Sequence, residues 1–596
     1  MKHGRRTHRA RAITGVLAAA SSLVVLAAGP AGAHAIVKST EPRIDEVVDT
    51  APAEVVMEFN EPVEISFGSI RVFGTDGGRV DAGETEYVAG APDAVRVPLE
   101  PDLPRGTYTV AWRIVSADGH PIGEGFVFHV GEPGQNPQGI IDQVLGGEAR
   151  SGPLESGAAA VGRWFNLASL LLLAGAALFL ILVWGRILVP SEEVQSGFAA
   201  RWRGIVLTAW IVAVASTIVL YILQGSLAAD LPLREALSPD VLTEVAETRF
   251  GIVSLIRLGL LVGCAIMWPA VRRSLEPRRS VGAAAVAVRP ASWQVAAGGV
   301  LVVALLATPG LAGHAGTTEP VALNVAADVL HMVAAAMWMG GLLLLVRGAF
   351  PATRDLSPEA RARALAPVVA RFSDLAVIAV AALVGSGVVR AWTEVRALRA
   401  LVDSSYGIAL LLKVAAFLPI LALGFINNRW TKPRIVRAVA EGDPADAGGP
   451  LRRLRRLVGV EITLGAVVIA VTALLVNLPP ARIAAGVEGP FNTEAALGHR
   501  GIHIMVDPNR VGLNEIHITP EMMGEEEAHF DEIRVLFRMP EEGIGPIPAE
   551  AMPSGHGEYL VRGHQLSVPG EWILEIVART GEFDEERTRV HVTVNP

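Results

Sequence analysis

Residues 167–184 read LASLLLLAGAALFLILVW, a run of 18 residues without a charged side chain. A helix of about 20 apolar residues is long enough to cross the hydrocarbon core of a bilayer. The 596-residue chain is 51% hydrophobic and contains eight such segments. The sequence therefore predicts a multi-pass membrane protein rather than a globular enzyme, with spans at roughly 160–187, 204–228, 250–270, 292–312, 322–346, 372–392, 406–427 and 457–478.

A secretory leader is predicted before the first span. Arginines between Arg5 and Arg11 precede an apolar run over residues 13–28, and Ala31-Gly32-Ala33 is a small-x-small cleavage signal. Cleavage there would remove residues 1–33 as a signal peptide and make His34 the first residue. A free α-amine and an imidazole on one residue can chelate a metal ion together. Chance could also place a histidine at this position.

Charge in the loops gives the orientation of the spans. If the leader places the N-terminal region outside, four loops are cytoplasmic, and these contain 21 lysine and arginine residues. The three loops on the other side contain four. This strong positive-inside bias predicts that both ends of the mature chain are extracytoplasmic.

The regions on both sides of the spans are predicted to be all-β. Short β-rich runs separated by turn signals occupy residues 34–131 and favour a small sandwich or Greek-key barrel. A linker rich in Gly, Pro and Gln follows over 132–158, then an eight-span membrane domain over 159–480. Residues 491–596 contain further strand-like runs and predict a second, immunoglobulin-like β-sandwich.

Composition also argues against several classes of protein. The one cysteine, Cys264, permits no intrachain disulfide and no thiolate cluster. The basic residues cluster in short loops between apolar runs, so we expect a lipid membrane and not a nucleic acid as partner. Of the 12 histidines after the leader, three lie in the first β region, seven in the last and two in the spans. This distribution suggests an extracytoplasmic metal, although Arg-rich cytoplasmic loops could produce it as well.

The first candidate metal site combines His34 with Asp118 and His120. Asp118 and His120 are two residues apart, so both side chains can leave one face of an extended segment. With the amine and the imidazole of His34 they offer three nitrogens and a carboxylate, which suits tetragonal Cu(II), while Zn(II) would prefer a tetrahedron.

Residues 34–130 resemble the periplasmic copper-binding protein CopC. The similarity lies in VMEFNEPV at 56–63, WRIVSADGHPIGEG at 112–125 and the N-terminal His34. It implies a cupredoxin-like Greek-key β-barrel with a Cu(II) site made by His34, Asp118 and His120. Some CopC proteins also have a methionine-rich Cu(I) site, which we expect to be absent here because the domain contains only Met57. His129 ends a strand, and we expect it to be structural.

A second candidate site lies in the membrane. His331 is nine residues into the fifth span, about 13 Å from its end, where an ionisable group is costly and therefore a functional candidate. His314 ends the fourth span. Methionine thioethers suit Cu(I), so the predicted copper path comprises His314, His331, Met332, Met337 and Met339. The structural alternative is that the histidine bonds a carbonyl and the methionines fill gaps.

The eight spans resemble the membrane protein CopD. The similarity lies in Trp338-Met339-Gly340-Gly341 after His331, in Gly385-Ser386-Gly387 with Arg390, and in GFINNR at 424–429. It implies movement of copper across the membrane. Lys413 is the one lysine inside a span and is expected to pair with a carboxylate or a carbonyl, whereas Arg390 could snorkel to the interface.

A tentative third site lies in the C-terminal region, which resembles the YtkA-type sandwich of some CopC–CopD fusions. His499, His503 and Met505 lie close in sequence, and His517 lies in a later strand. His503 and Met505 share one face of a strand. Solvated surface histidines are the alternative.

We therefore interpret the chain as a CopC–CopD fusion that is not an enzyme. It would capture Cu(II) outside and carry copper inward, with an extracytoplasmic copper chaperone or reductase as a possible partner and Cu(I) as a possible membrane species. Copper sequestration or sensing without transport remains open. So does a membrane haem or copper oxidoreductase, since His314 and His331 could ligate a haem.

Overall fold

The computed structural model describes the chain in ordered stretches and divides it into two compact units. One unit is helical and comprises residues 149–478, and the other contains both terminal β regions. The predicted signal peptide, His34 and most of the predicted linker lie outside the described residues. The described residues are 37–43, 46–59, 62–75, 77–116, 121–131, 153–229, 231–276, 286–287, 291–318, 320–395, 398–476, 478, 491–498, 500–507, 509–512, 514–520, 530–555, 558–579 and 585–594.

The N-terminal region is built from two four-stranded sheets. One has the order β1-β3-β6-β5 and the other β2-β8-β7-β4, and all pairs except β2 with β8 are antiparallel. The strands are β1 (Val37–Glu41), β2 (Val47–Val48), β3 (Glu54–Phe59), β4 (Val63–Phe73), β5 (Glu86–Val88), β6 (Ala91–Pro98), β7 (Gly106–Ser116) and β8 (Pro121–Val130).

Alternating apolar residues of the two sheets form one core between them. In β3 every second side chain is buried, and Phe59 packs edge-on against Trp112 with ring centroids 5.5 Å apart. Tyr108 stacks on Phe128 at 5.3 Å. This alternation is what an aligned sandwich requires, and it confirms the predicted all-β class.

The central unit consists of long helices joined by short segments. Its helices are α1 (Pro153–Leu182), α2 (Glu192–Ala229), α3 (Pro239–Glu247), α4 (Arg249–Ser274), α5 (Ser292–Leu311), α6 (Val321–Ala335), α7 (Gly341–Leu344), α8 (Phe350–Ala352), α9 (Pro358–Val395), α10 (Ala400–Asp403), α11 (Ser405–Ile426), α12 (Lys432–Ala440) and α13 (Gly448–Leu475). Two-residue strands β9 (Leu188–Val189) and β10 (Val286–Ala287) pair between loops.

Side chains cap the starts of two helices. Thr248 Oγ1 accepts a hydrogen bond from Gly251 N at 3.0 Å, and Ser404 Oγ accepts one from Gly407 N at 3.0 Å.

Eight helical segments in the described part of the chain are long and apolar enough to cross a membrane. They are Gly157–Arg186, Glu192–Ala229, Arg249–Ser274, Ser292–Leu311, Val321–Ala352, Pro358–Val395, Ser405–Ala440 and Pro444–Leu475. The eight predicted spans correspond to these segments. The first is the most buried and contacts the second, fourth, fifth and eighth, whereas the seventh is the least buried.

Segments of π-helix interrupt two of the spans. The fifth span contains Ala336–Gly340 and Leu345–Ala349, and the seventh contains Asn427–Thr431. At the first of these the backbone of α1 comes very close. A Cβ on Gly175 would lie 2.2 Å from the Ala336 carbonyl oxygen. Only glycine allows this approach.

The C-terminal region is an antiparallel sheet of eight strands that encloses a single core. The long β15 pairs with β14 and with β16, so one continuous sheet replaces two separate ones. The core includes Trp572 and Phe537, both fully buried. The strands are β11 (Phe491–Leu497), β12 (Arg500–Asp507), β13 (Asn514–Pro520), β14 (Glu532–Met539), β15 (Ile544–Gly555), β16 (Glu558–Gly563), β17 (Gly570–Arg579) and β18 (Glu585–Val594).

Candidate functional site

The predicted Cu(II) ligands of the N-terminal domain lie outside the described residues. Asp118 and His120 fall between Ser116, the last residue of β7, and Pro121, the first of β8, and these two strands pair as neighbours. His34 precedes the first described residue. His129, in contrast, is buried in β8 and its Nδ1 lies 2.9 Å from Thr107 Oγ1, which agrees with a structural role.

In the membrane unit, His331 of α6 meets Ser386 of α9. Their Nδ1 and Oγ atoms are 3.0 Å apart, and the Ser386 hydroxyl donates to the Ala382 carbonyl at 2.6 Å. If the hydroxyl proton goes to that carbonyl, the serine oxygen accepts from Nδ1–H. In this tautomer the lone pair of His331 is on Nε2, the nitrogen that could bind a metal ion.

One helical turn before His331, Asp328 forms an ion pair with Arg390 of α9. Asp328 is only 4% exposed, and residues three apart on a helix share a face. A Cβ on Gly310 would come within 2.2 Å of the Asp328 carboxylate, so the glycine in α5 makes room for it. The sequence left open that Arg390 could snorkel to the interface, and in the structure its guanidinium pairs with a buried carboxylate. Sequence reasoning missed Asp328, although it is an acidic residue inside an apolar run.

Further charged side chains surround this ion pair. Lys413 of α11 interacts electrostatically with Asp328 and Arg390, and Glu394 of α9 interacts with Arg390. We refer to Asp328, His331, Ser386, Arg390 and Lys413 as the polar cluster. The pairing of Lys413 with a carboxylate or a carbonyl stays a prediction, which its electrostatic interaction with Asp328 supports.

The other members of the predicted membrane path are spread along the bundle. The backbone of His314 forms a 3₁₀ turn, His314–Gly316, between α5 and α6, and its side chain lies outside the described part of the structure. Met332 is half-buried, and Met337 is buried. Met339 lies against Gly465 of α13, where an added Cβ would be 2.5 Å from its sulfur. Eight residues, or about 12 Å, separate it from His331, so the two do not form one site.

A second intramembrane charge was not singled out from the sequence. Arg257 of α4 is 4% exposed, and its guanidinium donates to Thr308 Oγ1 at 2.7 Å and to Asn166 Oδ1 at 3.1 Å. Asn166 in turn donates to Ser216 and Thr217 of α2. The sequence did indicate this charge, because Arg257 interrupts the apolar run over 250–270.

In the C-terminal domain, β12 and β13 bring two of the predicted residues side by side. Met505 pairs directly with His517 across the strands, and the exposed His503 lies two residues before Met505. Burial raises the pKa of the neighbouring Asp507, against the lowering effect of His517. His499 lies outside the described residues. No group of three His, Cys, Asp or Glu side chains that could hold a metal was found within the described residues.

Comparison with known proteins gives three family matches along the chain. The CopC domain matches residues 37–131, the N-terminal domain of copper resistance protein D-like proteins matches 154–323, and copper resistance protein D matches 366–475. Ser386, Arg390 and Lys413 lie within the last match, whereas Asp328 and His331 lie between the last two.

Individual relatives agree with these matches. The copper transport protein CutJ of Bacillus subtilis (strain 168) is 27% identical over 563 residues, which cover 93% of this chain and 94% of the relative. Copper resistance protein C of Escherichia coli is 36% identical over 115 residues, 18% of this chain and 90% of the relative. The crystal structure of CopC from Methylosinus trichosporium OB3b is 27% identical, covers 17% of this chain and 98% of that chain, and has a TM-score of 0.16.

An eight-span helical unit that follows a CopC domain defines a multi-pass membrane protein with a copper-protein domain attached. Both the CopC and the CopD matches occur in this one chain. The chain belongs to the copper resistance family as a CopC–CopD fusion.

Proposed function

We propose that this protein binds Cu(II) outside the cell membrane and imports copper through the helical unit, with His331 as a ligand along the path. The observation that carries the proposal is the contact of His331 Nδ1 with Ser386 Oγ at 3.0 Å, which orients the ring and, in the Nδ1–H tautomer, leaves Nε2 for a metal. A fixed tautomer is how metal-binding histidines are commonly oriented. The name of the relative CutJ, a copper transport protein, supports the same function.

Copper would first be captured by the N-terminal domain. His34, Asp118 and His120 are the proposed Cu(II) ligands, by resemblance to CopC and by the donor chemistry of imidazole, amine and carboxylate. The family includes the curated copper resistance protein C. Met57, the domain's one methionine, is buried in the core, which supports a single nitrogen-rich site.

Asp328 would give the membrane step a second ligand, a carboxylate oxygen, one turn from His331. Its carboxylate is held by Arg390, so copper at His331 would compete with the guanidinium for it. A histidine nitrogen and a carboxylate oxygen fit Cu(II). Met332, Met337 and Met339 would offer thioethers to copper that an extracytoplasmic reductase has first reduced to Cu(I). The inward direction rests on the proposed orientation, in which the basic loops are cytoplasmic.

Copper accumulation in cells tests this function. Under import, deletion of the gene lowers cellular copper, and both His120→Ala and His331→Ala reproduce the loss when the protein level is unchanged. Sequestration or sensing without transport predicts a different result, in which His331→Ala accumulates as much copper as the wild type and only His120→Ala is defective. Higher copper in the deletion strain would contradict import.

A further inference from the structure

The helical unit contains a cavity that the proposed copper path does not use. Its volume is about 390 Å³, within the roughly 300–1,000 Å³ of small-molecule pockets. It lies among the fifth, sixth, seventh and eighth spans, beyond the polar cluster along each helix. On the fifth span the lining begins at Trp338, seven residues after His331.

The walls of this cavity are apolar and partly aromatic. Trp338, Phe372 and Leu342 line it and are buried. Val377 and Phe425 also line it, but they are 50% and 60% exposed. These exposed apolar side chains belong to membrane spans, so the mouth of the cavity faces the hydrocarbon of the bilayer. A ligand would therefore enter from the lipid phase.

One end of the cavity is polar and offers hydrogen-bond acceptors. Asn427 and Glu461 line it, the Asn427 Nδ2 donates to Glu461 Oε1 at 2.6 Å, and Glu461 is 2% exposed. Asn427 Oδ1 is buried without a hydrogen-bond partner among the described residues. No basic side chain pairs with Glu461 in the described part of the chain. Lys432 lines the cavity as well, but it forms an ion pair with Asp374.

The chemistry of these walls restricts the occupant. An unpartnered buried acceptor is unfavourable, and a ligand hydroxyl that donates to it would relieve that cost. A phospholipid would bring its phosphate close to the Glu461 carboxylate, and a hydrated metal ion would meet mostly apolar walls. Aromatic side chains favour stacking with a flat ring.

We propose that this cavity binds the head group of a membrane-dissolved aromatic lipid with hydroxyl donors, the class of isoprenoid quinols. The ring would lie against Trp338 and Phe372, the hydroxyls would donate to Asn427 Oδ1 and Glu461, and the tail would leave past Val377 and Phe425. This proposal concerns binding alone and is independent of the copper function.

Binding of decyl-ubiquinol to the full-length protein in nanodiscs, measured by calorimetry, tests the proposal. Gly424 lines the cavity, and a Cβ there would have no atom within 4 Å, so Gly424→Leu fills the space without a backbone clash. Gly259 of α4 is equally open but lies away from the cavity, and Gly259→Leu is the matched control. We expect at least a tenfold loss of affinity in Gly424→Leu, no change in the control, and about a tenfold loss in Glu461→Gln.

Two results would overturn the proposal. One is equal affinity of Gly424→Leu and Gly259→Leu for the quinol. The other is a phospholipid that mass spectrometry finds bound to the wild type and lost from Gly424→Leu, which would make the cavity a structural lipid site. Because no copper is present in these measurements, neither result bears on copper import.

Discussion

Asp328 and Arg390 show how a single acidic residue can set the chemistry of a membrane path. The ion pair places a carboxylate one turn from His331 and keeps it buried. An unpaired charge at this depth would be costly, so the pair stabilises the bundle in the absence of metal. The same carboxylate is available to a cation that displaces the guanidinium.

Replacing Asp328 by Asn should therefore destabilise the helical unit. Loss of one partner from a fully buried pair costs about 3–5 kcal/mol. The loss here should be smaller, because Arg390 is 32% exposed and Glu394 remains near it. Thermal unfolding in detergent measures the change. The double variant Asp328→Asn with Arg390→Gln should regain most of the stability but not copper uptake, whereas full uptake by the double variant would argue against a role for the carboxylate in transport.

The α-amine of His34 can be tested as a ligand without changing any side chain. The N-terminal region has a closed hydrophobic core of its own, so a 34–130 fragment is a suitable sample. Addition of one alanine before His34 removes the amine from the chelate and should weaken Cu(II) binding by at least tenfold. Titration of both forms with Cu(II) measures this, and the unchanged far-UV circular dichroism of the extended form is the control. Equal affinities would mean that the amine is not a ligand.

At the scale of single residues, the sequence predicted part of the candidate site. His331 could be identified because a histidine deep in an apolar run stands out. Its partner Ser386 could not be paired with it, since span-to-span contacts depend on helix rotation and packing that one sequence does not encode locally. Asp328 is as conspicuous in its apolar run as His331. Its role, however, can be inferred only when Arg390 is known to face it.

At the scale of elements, the close contact between α1 and the fifth span controls how the bundle packs. Gly175 lies against the backbone of the π-helical segment Ala336–Gly340. Membrane helices approach closely where small residues meet. Backbone atoms cannot rotate away as a side chain can, so any larger residue must separate the two helices.

Gly175→Ala should destabilise the protein by about 1–3 kcal/mol, the usual cost of overpacking. The matched control is Gly204→Ala in α2, where a Cβ would have no atom within 4 Å. That change should be neutral or stabilising by up to about 1 kcal/mol, because alanine favours helix over glycine. Thermal unfolding of both variants in detergent measures the change in stability, and equal melting temperatures would contradict the close contact.

Element positions were largely predictable, whereas element geometry was not. Long apolar runs gave all eight spans because length and composition are sufficient for that prediction. The π-helical segments left no such signal, since their extra residue per turn depends on the packing of neighbouring helices. They change which side chains face inward after Ala335, so the alignment of His331 with Met337 and Met339 could not be read from sequence spacing.

At the scale of the whole molecule, charge separates the two sides of the helical unit. The basic residues concentrate in the loops that begin at Arg186, Arg272, Arg347 and Arg429. This is the pattern of cytoplasmic loops. With eight spans, we therefore expect both β domains on the extracytoplasmic side.

Protease access in intact spheroplasts tests this orientation. An epitope tag after Pro596 should be removed by added protease if the C-terminal domain is outside, as the charge of the loops predicts. A tag inserted after Gly442, in the basic loop between α12 and α13, should be protected until the membrane is opened with detergent. Protection of the C-terminal tag in sealed spheroplasts would contradict an even number of spans with both ends outside.

The buried positive charge of Arg257 has a consequence for the passage of cations through the helical unit. Its guanidinium lies eight residues into α4, about 12 Å from the start of the helix, and it contacts only neutral side chains among the described residues. A fixed positive charge in a low-dielectric interior repels any bare cation that approaches it. We therefore expect bare cations such as sodium ions to be opposed by this charge, so that the part of the bundle around Arg257 conducts them poorly.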